Sequence, residues 1–566
     1  MVDAAMKRNK KIVSYTELLL MAALLVVLNG LGNFIFFRID LTKEKRYTLS
    51  ESSKNLAEKL DDKLTAKIYL EGNFPAGFKR LQNATREMID EFNVYAGTEI
   101  SYEFIDPLAG LDKKTQNDVI EQLQSKGLQP INLQVNADDE LSSKIIFPGV
   151  LFYYKGKEYP INLLKGQFGD APESVINASI ENIEYEIGNV LRKCTMKGKK
   201  KLAFLIGNGE LGKYETGDIS QELGDFYQIE RLDFTLQPPQ KLQEYAGLVI
   251  AKPQTAFSEY DKFKLDQYVM KGGKILWLID PVIAEMDSMK KETSFTSVSN
   301  PLNLDDMLFK YGARLNSNLI EDMTCNRIPI LTNIQGSSPQ TRLVPWIYYP
   351  LLSSSSKHPI VNNLDVVWAQ FASSIDTTSN TRCRKTVLLE SSTSSRVAQA
   401  PVLVDLGILR KPMPTGIFNQ SHFPVAVLLE GKFESIFENR KIFDSVSKEL
   451  KYTASIDNNK MIVISDGDII RNQVSKSSGS VYPLGYDRYT KQFFGNKKFI
   501  LNCIDYLCDD SGIIEVRSRE IQLRLLDKQL INSDKLKWQL INLLLPVILI
   551  VIFGWIYISI RKRRYA

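Results

Sequence analysis

The sequence predicts an α/β protein flanked by two terminal transmembrane helices. Three observations carry that reading. Two mostly apolar runs, 18–37 and 540–560, sit at opposite ends of the 566-residue chain. Each is about twenty residues long, enough to cross a ~30 Å hydrocarbon core as a helix. Between 64 and 164, strand-like and helix-like periods alternate in the order β-α-β-α-β-β. Beyond 200, near-continuous apolar strands alternate with helical stretches, the pattern of a parallel, doubly wound sheet buried on both faces.

The elements follow in order. Residues 1–11 form a cytoplasmic N-terminus in which Lys7, Arg8, Lys10 and Lys11 precede the first apolar run. That run exceeds the ~7–15 residues of a signal-peptide core and no Ala-x-Ala site follows, so 12–37 reads as an uncleaved anchor. Asn29 and Asn33 near its outer end either face a partner helix or lie at the membrane interface.

Residues 38–196 make the first extramembrane domain. A strand at 64–70 leads to an amphipathic helix at 78–95, with Phe78, Leu81, Met88, Ile89 and Phe92 on one side. A strand at 100–105, a helix at 114–126 and a strand at 131–135 follow. Strands 150–154 and 158–163 form a hairpin across Lys155-Gly156-Lys157. This is the order of a thioredoxin-like domain. Redox chemistry would need Cys-x-x-Cys after the first strand, and the loop reads Glu71-Gly72-Asn73-Phe74-Pro75. The domain is therefore a binding or spacer module. A helix at 178–192 bridges to the second domain, 197–516, through the basic turn 197–201.

That domain begins with a strand at 201–206, a helix at 219–227 and strands at 228–234 and 247–251. A helix at 258–270 is closed by Gly272-Gly273, where a left-handed glycine suits a C-cap. The strand 274–279 ends at Asp280-Pro281. Apolar pieces at 387–389, 425–429 and 461–465, and a helix at 496–508, extend the same sheet. Ser/Thr/Asn-rich stretches at 293–299, 336–341, 353–356, 373–381 and 391–395 read as surface loops. Residues 517–539 form a juxtamembrane stalk. The second anchor, 540–560, contains Pro546 and Gly554. Trp538, Trp555 and Tyr557 suit the interfacial belts. Arg561, Lys562, Arg563 and Arg564 of the tail 561–566 belong on the cytoplasmic side. Arg38, Lys43, Lys45 and Arg46 blur the orientation of the first helix, but two spans return both termini to one side. The long middle region is then periplasmic, at the inner membrane.

Composition removes several function classes. A net charge of +5 gives no nucleic-acid footprint. Cys194, Cys325, Cys383, Cys503 and Cys508 are odd in number and scattered, so they are no disulfide framework. Only His358 and His422 exist, without ligand spacing around either, which argues against a zinc site or a His-based hydrolase. No Gly-x-Ser-x-Gly elbow is present.

Two candidate sites remain. Gly207-Asn208-Gly209-Glu210-Leu211-Gly212-Lys213-Tyr214 follows a strand and matches Gly-x-Gly-x-x-Gly, with Asp233 placed to bind a ribose. It also nearly matches a P-loop, but Tyr214 replaces the Ser/Thr that would hold magnesium. Glu210 would set a carboxylate beside the pyrophosphate, and the alternative is a tight glycine turn. The second site is the carboxyl edge of the sheet. If its strands are parallel, Asn208, Glu210, Lys252, Asp280, Asp466 and Asp468 gather where open α/β sheets bind ligands. A polar ligand or cation could sit there, or Asp-Pro and Asp-Gly-Asp could be plain strand-ending turns.

The segment Arg38-Ile39-Asp40-Leu41-Thr42-Lys43-Glu44-Lys45-Arg46-Tyr47-Thr48-Leu49-Ser50 resembles the GldG-type, gliding-motility-associated ABC-transporter auxiliary proteins of Bacteroidetes. The stretches 204–210, 251–253 with 257–262, 272–286, 517–519 and 524–528 resemble the same family, so the likeness covers essentially the whole chain. It implies a periplasmic accessory subunit, substrate-binding in label, working with a separate permease and ATPase. It implies a central domain like a class I glutamine amidotransferase without the catalytic cysteine, no enzyme activity and no cofactor. Family members commonly carry Gly-His-Gly-Glu in the glycine turn, where this chain has Asn208. The resemblance names no substrate. A non-transport envelope scaffold and, with less support, a dinucleotide-binding enzyme are the alternatives.

Overall fold

The computed structural model describes residues 16, 18–27, 48–72, 74–137, 140–164, 171–290, 292–332, 340–379, 382–410, 415–438, 440, 451–475, 479–518 and 528–565. Two compact units result, Met1–Arg519 and Glu520–Ala566. The first unit is mixed α/β and contains two lobes.

Local chemistry sets the first lobe. The Ser50 hydroxyl accepts from the Ser53 amide at 3.0 Å and caps α1 (Glu51–Glu58). β1 (Leu64–Ile68) leads to α2 (Ala76–Tyr95), which buries Leu81, Thr85, Ile89 and Phe92 as one stripe at helical spacing. β2 (Ile100–Phe104) runs parallel to β1. Asp112 caps α3 (Lys113–Ser125) by accepting from the amides of Lys114 and Thr115. β3 (Ile131–Ala137) and β4 (Glu140–Ile146) form a separate antiparallel ribbon. β5 (Gly149–Tyr154) and β6 (Lys157–Asn162) turn at Lys155 and Gly156, with φ of 47° and 74°. Two left-handed residues are what a type I′ hairpin requires. The sheet order is β2-β1-β5-β6, with β5 antiparallel to β1. α4 (Pro172–Thr195) covers it, burying Ile176, Ile180, Ile183, Ile187 and Leu191.

The second lobe is built on a larger sheet. In chain order it carries β7 (Lys200–Ile206), α5 (Gly217–Leu223), β8 (Tyr227–Asp233), β9 (Gly247–Ala251), α6 (Glu259–Met270) and β10 (Lys274–Leu278). Then come β11 (Val282–Ile283), β12 (Ser294–Ser299), β13 (Cys383–Glu390), β14 (Val402–Asp405), β15 (Pro424–Glu434), β16 (Ser455–Ile464) and α7 (Asn496–Cys508). Seven strands pair in the order β13-β15-β16-β10-β9-β7-β8. From β8 to β16 every neighbour is parallel, while β15 and β13 close one edge antiparallel.

Both faces of this sheet are buried. Leu202 and Phe204 of β7 face a core shared with Phe499, Ile500 and Ile504 of α7. Ala203 and Leu205 face the opposite core, with Phe263, Leu265 and Val269 of α6. Strands that bury alternate residues on two sides read as continuous apolar runs. Ser258 caps α6 through the Asp261 amide, and Gly272 follows its end with φ +95°.

The lobes are joined twice. α4 leads from one to the other, and the 3₁₀ turn Ile513–Ser518 returns to the first. Ile513 and Val516 lie in the same core as Ile187 and Leu191. Gly188 permits this approach: a Cβ there would stand 2.3 Å from Ile513 Cδ1.

The second unit carries α8 (Lys528–Tyr565). Its segment Ser533–Arg563 is long and apolar enough to cross a membrane, and Leu18–Val27 is a shorter apolar helix near the other end. Pro546 stands inside α8, which runs on past it to Tyr565.

Several expectations need correction. The strand expected at 131–135 does not join the first sheet, because it pairs in full with β4. The stretch 293–299 is no loop, since β12 pairs with both β11 and β14. Nor are 373–381 and 391–395 simply surface: Ser373, Ser391 and Ser395 are fully buried, and Ser391 Oγ and Ser395 Oγ lie 2.8 Å apart. Arg517, assigned to the stalk, is buried in the first unit and donates to Asn502 Oδ1 and to the Asn362 carbonyl. Residues 528–539 of that stalk are helical, continuous with the apolar span. Asn29 and Asn33 lie outside the described residues.

Candidate functional site

The glycine turn sits at the carboxyl end of β7, between that strand and α5. Gly207 and Gly209 have φ of +132° and +80°. A Cβ on Gly207 would stand 2.7 Å from Thr235 and 2.9 Å from Asp233, so glycine is needed for close approach as well as for angle. The turn is occupied by its own groups. Glu210 Oε2 accepts from the Asn208 amide at 2.8 Å. Asn208 Nδ2 donates to the Thr255 and Ala256 carbonyls at 3.3 and 3.2 Å. Asp233, the ribose candidate, accepts from the Thr235 amide and hydroxyl and caps a 3₁₀ turn. α5 starts at Gly217, five positions past the third glycine, so its N-terminus does not meet the turn.

The ends of β9, β10 and β16 bring four predicted site residues together. Lys252 follows β9 in the left-handed region, φ +56°, and is 3% exposed. Its Nζ donates to Asp468 Oδ2 at 2.6 Å and lies 3.2 Å from Asp280 Oδ2 and 3.6 Å from Glu285 Oε1. Asp280 Oδ1 accepts from the Gly467 amide. Asp466 accepts from the amides of Asp468 at 2.7 Å and Gln370 at 2.6 Å. Arg471 pairs with Asp468 at 3.2 Å and with Glu215 at 2.7 Å. Glu215 in turn accepts from the Gly212 amide at 2.9 Å. A chain of charge therefore runs from the glycine turn, where Asn208 and Glu210 sit, to Lys252.

Electrostatics follow from depth. Burial opposes ionisation of Asp468, but Lys252 and Arg471 outweigh it and hold its carboxyl below the usual range. Asp466 is pushed well above that range by burial, then by Asp468 and Asp280. Burial likewise raises the Glu210 carboxyl. Lys252, Asp280, Asp466 and Asp468 are all buried. Lys252, Asp280, Asp466 and Asp468 are thus cross-braced and spend their hydrogen bonds on each other and on backbone, whereas Asn208 Oδ1 and Glu210 Oε1 in the glycine turn are buried without partners among the described residues.

The open space is elsewhere. A cleft of about 660 Å³ lies at the seam of the two lobes, walled by α4, α5, α7 and the loops near Asn363 and Phe493. Beside it, Arg192 donates to Asp505 Oδ1 at 3.1 Å, lies 3.3 Å from Asp509 and stacks 4.2 Å over Phe226. Tyr227 also donates to Asp505, at 3.0 Å. Sequence reasoning missed this cluster. Its signal was a charged residue inside each of two apolar helical patterns, Arg192 and Asp505.

The remaining candidates are dispersed. His422 Nδ1 lies 3.1 Å from Glu390. Burial pulls the His358 imidazole down to about 4. All five cysteines are unbridged. Trp538, Trp555, Arg561, Lys562, Arg563 and Arg564 all lie along α8.

Fold and termini together define a two-lobed α/β protein with an apolar helix suited to membrane anchoring. The chain belongs to the family described as an ABC-type uncharacterized transport system, which matches residues 199–503, over half of its length. Residues 43–153 match a domain of unknown function. An uncharacterized protein of Borreliella burgdorferi is 23% identical over 539 residues, covering 93% of this chain and 94% of that protein. Among solved structures, the mmIFT52 N-terminal domain matches 54% of this chain and 96% of its own, at 12% identity and a TM-score of 0.31.

Proposed function

We propose that this chain is a membrane-anchored accessory subunit, of substrate-binding type, in an ABC transport complex serving gliding motility or export. The observation that carries the reading is the family match over 199–503, joined to an apolar C-terminal helix that ends in basic residues. Its partners are a separate permease and a separate ATPase. Both termini lie in the cytoplasm and the two lobes in the periplasm, as the basic end of α8 favours. The first lobe is thioredoxin-like, which the order β2-β1-β5-β6 and the covering α4 support. The second is amidotransferase-like and non-catalytic. Its carboxyl edge is a brace that keeps the lobe stiff, because the charges there are mutually paired.

In this reading the anchors pack against permease helices, and ATP-driven movement reaches the lobes through the helical stalk. The test is gentle detergent extraction of the tagged chain and mass spectrometry of what copurifies. A multispanning permease and an ATPase at fixed ratio are expected. Recovery of the chain alone, or with envelope structural proteins only, replaces the transporter reading with an envelope scaffold.

A further inference from the structure

Two routes of chain cross the seam between the lobes. Closure about a hinge needs a few residues free to change their backbone angles. The first route is α4 itself. Ile176, Ile180, Ile183 and Ile187 hold it in the core of the first lobe, and the same unbroken helix carries Arg192 to the second. The second route is the 3₁₀ turn Ile513–Ser518. Ile513 is fully buried against Gly188, and Ile514, Val516 and Arg517 are buried beside it.

Each route is fastened by a buried arginine. On the first, Arg192 lies 3.1 Å from Asp505 and 3.3 Å from Asp509, and shares Asp505 with the Tyr227 hydroxyl. These partners lie along the end of α7 and at the start of β8, so α4 is tied to two elements of the second lobe. On the second, Arg517 donates to Asn502 Oδ1 of α7 and to the Asn362 carbonyl. The Asn362 carboxamide donates back to the Arg517 carbonyl.

Arg517 also reaches the first route, because its guanidinium lies 5.3 Å from the centre of the Tyr185 ring of α4. A guanidinium keeps its charge at any working pH. Among the described residues this one has no carboxylate partner, so fixed oxygens and a ring hold it. Those contacts require α4, α7 and the loop at Asn362 to keep their spacing. A third tie joins the same loop to α4: Asn363 Nδ2 donates to Glu181 Oε2 at 3.2 Å.

We infer that the seam is a fixed joint: the two lobes move as one body, and Arg517 is the positioning residue that clamps the Ile513–Ser518 strap to both. The chain continues from this strap to α8, so displacement arriving along it is delivered to α4 and α7 together. The seam cleft is then no jaw that closes on cargo. The joint makes the accessory subunit a lever, and it rests on that reading only for the source of the movement.

The experiment is double electron–electron resonance on the full chain in nanodiscs, with the unsubstituted chain as background. Nitroxides are placed at Lys114→Cys in α3 and Leu236→Cys in the second lobe, both exposed positions. A single narrow distance is expected, and its centre should stay put when ATP is added to the complex that copurifies. Arg517→Met should widen the distribution at least twofold; a merely structural role would lower Tm and leave the width alone. Should that variant fail to fold, Asn502→Leu removes the acceptor from the other side and should widen it likewise. Two resolved distances in the parent, or a shift of the centre with ATP, overturns the fixed joint. A parent-like width in the folded variant overturns the role of Arg517. If no permease or ATPase copurifies, the transporter reading falls, while a single narrow distance in the chain alone still supports the joint.

Discussion

Lys252 shows what one side chain does at the carboxyl edge. Its ammonium is buried and faces Asp468, Asp280 and Glu285. Removing it leaves buried Asp280 without its cation and Asp468 with Arg471 alone, a change that costs about 3–5 kcal/mol. Lys252→Met should therefore lower the denaturant midpoint of the detergent-solubilised chain by that amount, and a loss under 1 kcal/mol would show that the network is dispensable. Acid should reach the same network. Asp468 has its folded pKa depressed below the unfolded value, so its contribution is full above the ordinary carboxyl range. It is lost as pH falls through the depressed value. Asp466 runs the other way, favouring the fold when protonated, so its contribution fades as pH rises. Asp468→Asn removes the acid-sensitive contribution of Asp468, and its stability should fall less steeply than the parent's between about pH 5 and pH 2. Equal slopes in urea titrations across that range would refute the assignment. At this scale the sequence was half legible. Each residue ends a strand, and parallel strands gather their ends at one edge. Mutual neutralisation was not legible, because it depends on the left-handed turn at Lys252 and on depth.

Elements with a strong period were read closely. α7 and β9 have the expected bounds, since apolar spacing and the flanking turns agree. The pairing of β3 with β4 escapes the sequence because β4 opens Glu-Leu-Ser-Ser-Lys, without the apolar alternation of a strand, although Ile131, Leu133 and Ile146 pack on the first core. Serine-rich β12 and the 391–395 stretch escape for a related reason: Ser297, Ser391 and Ser395 are buried with partners for their hydroxyls, yet look like loop composition in a sequence. The stalk was read as a mixed segment and is in part a helix. Residues 528–539 add about 18 Å of rigid rise ahead of the apolar span. A stiff rod transmits displacement, whereas a Gly/Ser coil absorbs it. Inserting six Gly/Ser residues after Lys535 should abolish complementation of a deletion strain while expression and Tm stay at the parent level. Full complementation would mean that the stalk is only a tether.

At the scale of the whole molecule, the decisive question is which side of the membrane the lobes occupy. α4 and the Ile513–Ser518 turn join the lobes into one compact unit, so a reporter anywhere in it reports for both. The chain is well suited to thiol mapping, because only the thiolate reacts. Burial pushes Cys194 and Cys508 up to about 12 and Cys325 up to about 11, and Cys503 well above the usual thiol range. Background labelling at neutral pH should therefore be slight. Tyr214 is 67% exposed beside the glycine turn, and Ala566 ends the basic tail. With the lobes outside and the tail inside, Tyr214→Cys reacts with an impermeant maleimide in intact spheroplasts, while Ala566→Cys reacts only after the membrane is opened. The reverse pattern would place the lobes in the cytoplasm. It would overturn the orientation drawn from Arg561 to Arg564. Equal reactivity of both sites before opening would mean that α8 does not span the membrane.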